Sequence, residues 1–175
     1  MPFSIIKGQS RDIRSNNQRE KRYLYGHLLI YMKDMAQFNI VLKTRLILYD
    51  RGKILLLRQT KPNGGNYTLV GGNIEQAEYA KACLIREAEE EAGITLKEKD
   101  LQLVHVLQKN TSSEQRIVLY FKAYRWEGNL RAREKNKFQE AEWFHLDELP
   151  RNLTATVKHV LQEYRKGSLY SEIKK

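Results

Sequence analysis

The 175-residue chain lacks the features that mark secreted and membrane-spanning proteins. It has one cysteine, Cys83, and therefore cannot form a disulfide within the chain. We expect a reducing, cytoplasmic compartment. No apolar run approaches the ~20 residues of a membrane-spanning helix, and the most apolar stretch near the N-terminus, residues 23–32, lies too far from Met1 for a signal peptide. These absences exclude a disulfide scaffold and predict that a membrane is not a partner.

Acidic residues are also in deficit. Lys and Arg number 31 against 21 Asp and Glu, which gives a net charge of +10. This excess favours polyanionic partners such as nucleotides and phosphates, although it also serves solubility. The charge is +4 over residues 1–35 and +6 over the remainder, so it is not confined to one arm. Nucleic acid is left open as a partner, but no helix-turn-helix or RNA-binding motif indicates it.

The remaining composition is that of a globular protein, with 41% hydrophobic and 30% charged residues. The pattern divides the chain into three parts. Residues 1–35 are predicted to be a basic, partly mobile extension, in which residues 23–35 favour a short helix or an extra strand. Residues 36–168 are predicted to form the compact domain, and residues 169–175 a C-terminal tail.

Alternating and apolar runs predict a series of strands in the compact domain. Two segments have helical composition, and the first of them ends at a glycine. Strands, a helix, more strands and a last helix predict an α+β fold, an α/β/α sandwich with a mixed sheet between helices. The predicted strands are 38–50, 53–59, 66–70, 101–108, 116–126 and 140–146; the predicted helices are 77 or 78–92 and 154–166; residues 127–139 are predicted to be a charged loop.

The stretch REAEEEAG carries the strongest chemical signal. Glu87, Glu90 and Glu91 lie three and four residues apart, so that on a helix they share one face. Like charges at this spacing repel each other, and a hard divalent cation such as Mg²⁺, which prefers oxygen ligands, would relieve the repulsion. Glu89 points away from this face and is predicted to be solvated. The alternative is an ordinary exposed face whose charge is balanced by basic neighbours such as Arg86.

Glycines flank this helix on both sides. Gly71 and Gly72 allow a strand to turn sharply and bring its backbone close to a ligand. Gly93 can adopt the left-handed conformation that ends a helix. These flanking glycines favour a ligand-binding site over an ordinary solvated surface.

The stretch from residue 72 to residue 94 resembles the Nudix box of the MutT-type Nudix hydrolases. Chance would match its seven fixed identities at roughly one in 10⁸ starting positions, so the pattern is specific. The resemblance extends over residues 37–168, with Val70 and Ala77 as departures just outside the strict pattern. The matching identities are Gly72, Glu78, Arg86, Glu87, Glu90, Glu91 and Gly93.

The resemblance implies a Nudix fold and an enzyme that hydrolyses a nucleoside diphosphate linked to another group. Water would attack phosphorus, with Mg²⁺ or Mn²⁺ as cofactor. By match to the motif, Glu87, Glu90 and Glu91 would be metal ligands, and one of them could also orient the attacking water. The carbonyl of Gly71 or Gly72 would be a further ligand.

Other site residues follow from the same resemblance. Glu78 would lie near the metal or bind Arg86, and Arg86 would orient a glutamate through a charge-assisted hydrogen bond. Arg58 and Lys137 could contact phosphates, and Glu134 could supply an additional ligand or base, but for these three a solvated surface role is the favoured alternative. The same surface alternative applies to Glu140, whereas core positions are favoured for Tyr67, Cys83, His105, Tyr120, Trp126, Trp143 and Phe144.

Subfamily markers for the substrate are informative mainly by absence. The proline typical of ADP-ribose pyrophosphatases and the tyrosine typical of dinucleoside polyphosphate hydrolases are both missing after the box. We therefore predict a nucleoside triphosphate as substrate, with the monophosphate and pyrophosphate as products. The alternatives are an RNA-end or cap pyrophosphohydrolase and a non-catalytic nucleotide-sensing regulator, and a homodimer is left open.

Overall fold

The structure is a computed structural model that describes residues 39–112 and 114–174, together with residues 23, 25 and 26. Residues 1–38 and 39–175 are separate compact units. In the first unit Tyr23, Tyr25 and Gly26 are helical, and the other predictions made for residues 1–35 lie outside the described residues.

The second unit contains nine strands and two α-helices among the described residues. The strands are β1 Asn39–Asp50, β2 Lys53–Gln59, β3 Tyr67–Thr68, β4 Ile94–Thr95, β5 Gln102–Asn110, β6 Glu114–Ala123, β7 Glu127–Gly128, β8 Phe138–His145 and β9 Tyr170–Ile173. The helices are α1 Ala80–Ala92 and α2 Ala155–Arg165.

Seven strands form one mixed sheet. Its order is β3-β2-β1-β6-β5-β9, and β8 pairs with β2 outside this path. β1 pairs in parallel with β6, β5 pairs in parallel with β9, and the other pairs are antiparallel. β4 and β7 form a separate two-stranded ribbon. Of the predicted charged loop 127–139, residues 127–128 lie in β7 and residues 138–139 lie in β8.

Both faces of the sheet are covered by a helix. In β1, Leu46 and Leu48 pack with the core that contains Leu84 and Ala88 of α1, whereas Ile47 packs with the core around α2. Burial on both sides explains why residues 46–48 of β1 and 54–57 of β2 are continuous apolar runs instead of strict alternations. The predicted α/β/α sandwich is confirmed.

The C-terminal segment differs most from its description as a tail. Tyr170–Ile173 pair with Val106–Lys109 of β5 and form the edge of the sheet. The buried side chain of His105 binds this edge strand to β5. Its Nδ1 donates to the Ser168 carbonyl over 2.8 Å, and its Nε2 lies 2.8 Å from Ser171 Oγ. Such pairing joins residues about sixty positions apart, so local periodicity does not reveal it.

No helix among the described residues has the length and apolarity needed to cross a bilayer.

Candidate active site

Helix α1 presents its glutamates at different depths. It starts one residue after Tyr79, slightly later than predicted, and ends at Gly93, whose φ of 68° is the expected left-handed C-cap. Leu84 and Ala88 face the core, and this arrangement turns Glu87 and Glu91 inward to 8% and 4% exposure. Burying two carboxylates without hydrogen-bond partners would cost free energy, so the hydrogen bonds that they accept are needed to offset this cost.

The backbone of the two glycines before α1 lies against these two carboxylates. Gly71 N donates to Glu91 Oε2 over 2.8 Å, and the Gly72 carbonyl accepts from Thr44 N of β1 over 3.0 Å. A Cβ at Gly72 would lie within 3 Å of the Glu87 carboxylate. Gly71 has a φ of 129°, and a Cβ there would collide with the Thr44 carbonyl. Both positions therefore require glycine for the close approach of backbone to carboxylate.

Arg86 binds three glutamates at once. Its Nε and Nη2 donate to the two oxygens of Glu78 over 3.0 and 3.1 Å. Its Nη1 donates to Glu87 Oε1 over 3.0 Å and to Glu90 Oε2 over 3.2 Å. The hydrogen bond that the resemblance implies between Arg86 and a glutamate is thus present, and Arg86 also joins the loop before α1 to the helix.

The electrostatics of these residues follow from that network. The hydrogen bonds from Arg86, and then the one from Glu75 N, lower the pKa of Glu78 to about 2. Bonding to Glu78 is the largest cause that raises the pKa of Arg86 above its usual range. Burial raises the pKa of Glu91 to about 7, and the Gly71 amide partly opposes this. The result is one strongly ionised carboxylate at the rim and one buried carboxylate that is hard to ionise.

The donor set suits a hard divalent cation in its chemistry, because it consists of carboxylate oxygens on successive turns of one helix. Among the described residues, however, no three His, Cys, Asp or Glu side chains are grouped around a common cation position. Arg86 Nη1 instead bridges Glu87 and Glu90. In this structure the guanidinium neutralises the repulsion that a divalent cation would otherwise relieve, and only Glu91 is held by a separate donor.

The weaker candidate residues fall into two pairs. Lys137 Nζ lies 2.9 Å from Glu134 Oε2, and the charges of Glu134 and Lys137 act on Glu91, so this pair is near the carboxylates. Arg58 Nη1 lies 2.8 Å from Glu140 Oε1 on the exposed surface of β2 and β8. The structure therefore brings Glu134 and Lys137 toward the glutamate cluster and leaves Arg58 with Glu140.

Several predicted roles are settled by burial. Tyr67 and Tyr120 are buried in the core on the α2 side, as favoured by the sequence, and His105 is buried. Cys83 is also buried, and burial is the main cause that raises its pKa to about 11, which disfavours a nucleophilic thiolate. Glu89 is exposed, but it is not purely solvated, because Arg133 forms an ion pair with it. Trp126, Trp143 and Phe144 are partly buried against the two cores.

The sequence analysis missed a group of basic residues inside the sheet. Lys43, Arg45, Lys109 and Arg116 line a cavity of about 200 Å³ beside the first turn of α2. All four are half-buried. In the sequence, this group could have been recognised by basic residues at alternate positions of otherwise apolar strands. A larger cavity of about 480 Å³ lies elsewhere, along β4 and β7, and none of its lining residues belongs to the glutamate cluster.

Comparison with known families agrees with this geometry. The model of the NUDIX domain matches residues 42–164. Among curated proteins, the NAD-capped RNA hydrolase NudC of Pseudomonas aeruginosa is 28% identical over 117 residues. That match covers 66% of this chain but only 40% of the relative. The ADP-ribose pyrophosphatase of Methanocaldococcus jannaschii is 28% identical over 145 residues, which cover 80% of this chain and 84% of that protein.

Solved structures show the same fold. The crystal structure of a MutT NUDIX hydrolase from Burkholderia pseudomallei superposes with a TM-score of 0.65 at 27% identity, covering 71% of this chain and 97% of that one. The solution structure of the E. coli ORF135 protein superposes with a TM-score of 0.62 at 23% identity, covering 74% of this chain and 90% of the other. At the latter identity the likeness concerns the fold alone.

Proposed function

Because this chain belongs to the Nudix hydrolase family, we propose that it cleaves the pyrophosphate bond of a nucleoside diphosphate-linked compound by metal-dependent attack of water on phosphorus. The observation that carries the proposal is the arrangement around α1. Two buried glutamates and one exposed glutamate lie on one helix face, and Gly71, Gly72 and Arg86 hold them from two sides.

In this proposal Glu87, Glu90 and Glu91 hold Mg²⁺, or Mn²⁺, and the Gly71 carbonyl is a further oxygen ligand. When bound, the metal lowers the pKa of water and neutralises developing charge on the phosphate oxygens. Arg86 acts as a positioning residue, since it fixes the carboxylates of Glu87 and Glu90 by hydrogen bonds.

The supporting residues have distinct tasks. Glu78 anchors the Arg86 guanidinium through two hydrogen bonds, so its role in this proposal lies with Arg86 more than with the metal. The Gly71 amide fixes one oxygen of Glu91 and leaves the other available. The Glu134–Lys137 ion pair near the cluster would supply a base or a phosphate contact at the edge of the site.

For the substrate, a nucleoside triphosphate remains our first candidate, because both subfamily markers looked for after the box are absent. ADP-ribose is the second candidate, favoured by the relative from Methanocaldococcus jannaschii, which matches over most of both chains. The NudC relatives and the net charge of +10 favour testing capped RNA as well. Retention of all three motif glutamates argues against a regulator that only senses nucleotides.

A substrate panel tests the proposal. The protein, with Mg²⁺ or Mn²⁺, is incubated with nucleoside triphosphates, ADP-ribose, dinucleoside polyphosphates and capped RNA, and release of phosphate, pyrophosphate and nucleoside monophosphate is measured. We expect metal-dependent hydrolysis of at least one substrate. Loss of activity with rising salt for RNA but not for small nucleotides would single out an RNA substrate.

The variant Glu90→Gln tests the assigned site. Glu90 is exposed, so this nearly isosteric change leaves the fold intact while removing one predicted ligand. We expect the metal-dependent rate to fall by roughly 100-fold, in keeping with the loss of a positioned electrostatic group. The matched control is Glu98→Gln, an exposed glutamate outside the cluster. Full activity of Glu90→Gln would contradict the site.

A further inference from the structure

The cavity lined by Lys43, Arg45, Lys109 and Arg116, hereafter the cationic cavity, is built from three strands and a helix end. Lys43 and Arg45 come from β1, Arg116 from β6 and Lys109 from β5. Thr154 and Thr156, at the start of α2, close it on another side. No one segment of the sequence contains the set, and the fold assembles it.

The register of the sheet explains why these side chains converge. Lys109 of β5 is paired with Arg116 of β6. Lys43 of β1 is paired with Val118, two residues beyond Arg116, and alternate residues of a strand point to the same face. All four cations therefore share the α2 face of the sheet, whose neighbouring positions Leu107, Val118 and Tyr120 are core residues.

Positive charge exceeds negative charge in this cavity, where Glu114 forms an ion pair with Arg116 and its charge also acts on Lys43. None of its lining residues is acidic. Arg116 has Glu114 as an ion-pair partner, yet its Nε atom is buried without a hydrogen-bond partner among the described residues. Lys43 and Arg45 form no ion pair within the described part of the chain, and burial together with Arg45 and Arg116 lowers the pKa of Lys43. A bound anion would offset both the repulsion and the burial cost.

The lining of the cavity suits a phosphate group better than a nucleobase, and its volume fits a single group. At about 200 Å³ it is smaller than the roughly 300–1,000 Å³ of pockets that enclose whole ligands, so it would hold one group of a larger molecule. Its single aromatic lining residue, Tyr120, is buried in the core and is 1% exposed. The first turn of α2 adds backbone amides and the positive end of a helix dipole beside the four cations.

The cationic cavity also adjoins the glutamate cluster. Lys43 forms a β-bridge with Asn73, the residue after Gly72. The charge of Glu87 acts on Lys43, and the charge of Arg45 acts on Glu91. Both sites border the same stretch of backbone, because Lys43 is bridged to Asn73 and Gly71 lies against Thr44 and Arg45, and we expect one substrate molecule to reach both.

We propose that the cationic cavity binds a second anionic group of the substrate, a phosphomonoester separate from the scissile pyrophosphate, so that the enzyme prefers nucleoside diphosphate-linked compounds that carry an additional phosphate. This inference rests on the proposed function, because it assigns the substrate class of the same site. It adds a specificity pocket that the motif glutamates do not define.

Matched substrate pairs test the inference. NADP⁺ differs from NAD⁺, and coenzyme A from dephospho-coenzyme A, by one phosphate on the adenosine sugar, at the 2′ and 3′ positions respectively. With Mg²⁺ we expect kcat/KM to be about tenfold or more higher for the phosphorylated member of at least one pair, mainly through KM, since ion-paired hydrogen bonds to phosphate are the strong ones. Equal kcat/KM within both pairs would overturn the inference.

Two variants locate the effect. Lys43→Gln and Lys109→Gln should each reduce the preference within the pair, by lowering kcat/KM for the phosphorylated member more than for the other. Lys99→Gln, which removes a cation from the larger cavity, is the control and should leave the preference unchanged. Equal loss for both members in both cavity variants, with unchanged melting temperatures, would contradict a phosphate-binding role.

Binding separates failure of the inference from failure of the proposed function. If no member of either pair is hydrolysed, the proposed pyrophosphatase activity on these compounds fails. Calorimetric titration of the Glu90→Gln protein with each pair still tests the cavity. Tighter binding of NADP⁺ or coenzyme A, abolished in Glu90→Gln/Lys43→Gln, supports the inference, and equal affinities within each pair overturn it.

Discussion

The two faces of the central sheet handle charge in opposite ways. On the α1 face, the glutamates have donors at close range: Arg86 for Glu87 and Glu90, and the Gly71 amide for Glu91. On the α2 face, Lys43 and Arg45 form no ion pair among the described residues, and the charges of Glu114 and Glu87 only partly offset the burial of Lys43. The acidic side is therefore organised before any ligand arrives, whereas the basic side gains from a bound anion. In our proposals the first face positions the chemistry and the second selects the substrate.

The largest effect should come from disturbing the close approach on the acidic face. In Gly72→Ala the new Cβ would displace the Glu87 carboxylate, and a displacement of this size can cost roughly 100-fold in rate. Steady-state kcat/KM with Mg²⁺ measures it. A Cβ at Gly26 would meet nothing within 4 Å, and this glycine has no positive φ, so Gly26→Ala is the control and should keep its activity. Unchanged activity in Gly72→Ala would show that the Glu87 position does not matter.

Removing Arg86 should have the next largest effect. Arg86→Gln deletes the bridge that holds Glu78, Glu87 and Glu90, so we expect kcat/KM to fall about tenfold or more. Without the guanidinium, the glutamates should repel each other more strongly, so a bound cation should stabilise the protein more. Differential scanning fluorimetry should therefore show a larger Mg²⁺-dependent rise in Tm than for the unmodified protein.

The comparison for Arg86 is Arg133→Gln, which removes the ion pair of Glu89 on the same helix. Neither its activity nor its Mg²⁺-dependent rise in Tm should change beyond a small factor. A smaller Mg²⁺ effect in Arg86→Gln than in the unmodified protein would mean that Arg86 helps to hold the metal instead of balancing the glutamates in its absence.

The core on the α2 face predicts an alkaline limit to stability. Burial, followed by the hydrogen bond to Glu142, raises the pKa of Tyr67 from 10.0 to about 12. Because the pKa of Tyr67 is higher in the folded than in the unfolded state, Tyr67 contributes fully to the free energy of unfolding below pH 10. This contribution is lost as the pH rises to about 12. This corresponds to about 2–3 kcal/mol of the free energy of unfolding.

Urea unfolding at pH 9 and pH 11.5 measures this loss. Tyr67→Phe should show a flatter pH dependence than the unmodified protein, while Tyr79→Phe, a change at a highly exposed tyrosine, should not. Identical pH slopes for all three proteins would exclude Tyr67 as a source of the alkaline loss.

The smallest expected effect concerns the loop that leads into α1. Ala77 has a φ of 62°, a left-handed conformation that costs a residue with a Cβ roughly 1–2 kcal/mol. Glycine relieves this strain but raises the entropy of the unfolded chain, so Ala77→Gly should stabilise the protein by roughly 0.5–1 kcal/mol. Urea denaturation gives the value, and an exposed change at ordinary φ, Ala82→Gly within α1, should destabilise instead.

Elements defined by local spacing were predictable from the sequence. The interval between Glu87, Glu90 and Glu91 fixes their common face on any helix, and Gly93 ends that helix because glycine tolerates a positive φ. The turn at residues 51–52 and the strands on either side also agree with the structure. By contrast, β9 depends on pairing between segments that are distant in sequence. The hydrogen bonds of Arg86 to three glutamates depend on the path of the irregular loop before α1.

The sequence by itself determined the family, because the motif residues lie within one loop and one helix whose geometry is set by nearest neighbours along the chain. Only the tertiary structure decided which charges meet. Lys43, Arg45, Lys109 and Arg116 are spread over 74 positions and converge through strand register, and the depth of each glutamate depends on how α1 packs against the sheet. Register and packing are long-range properties, so the cationic cavity is visible in the fold and hidden in the sequence.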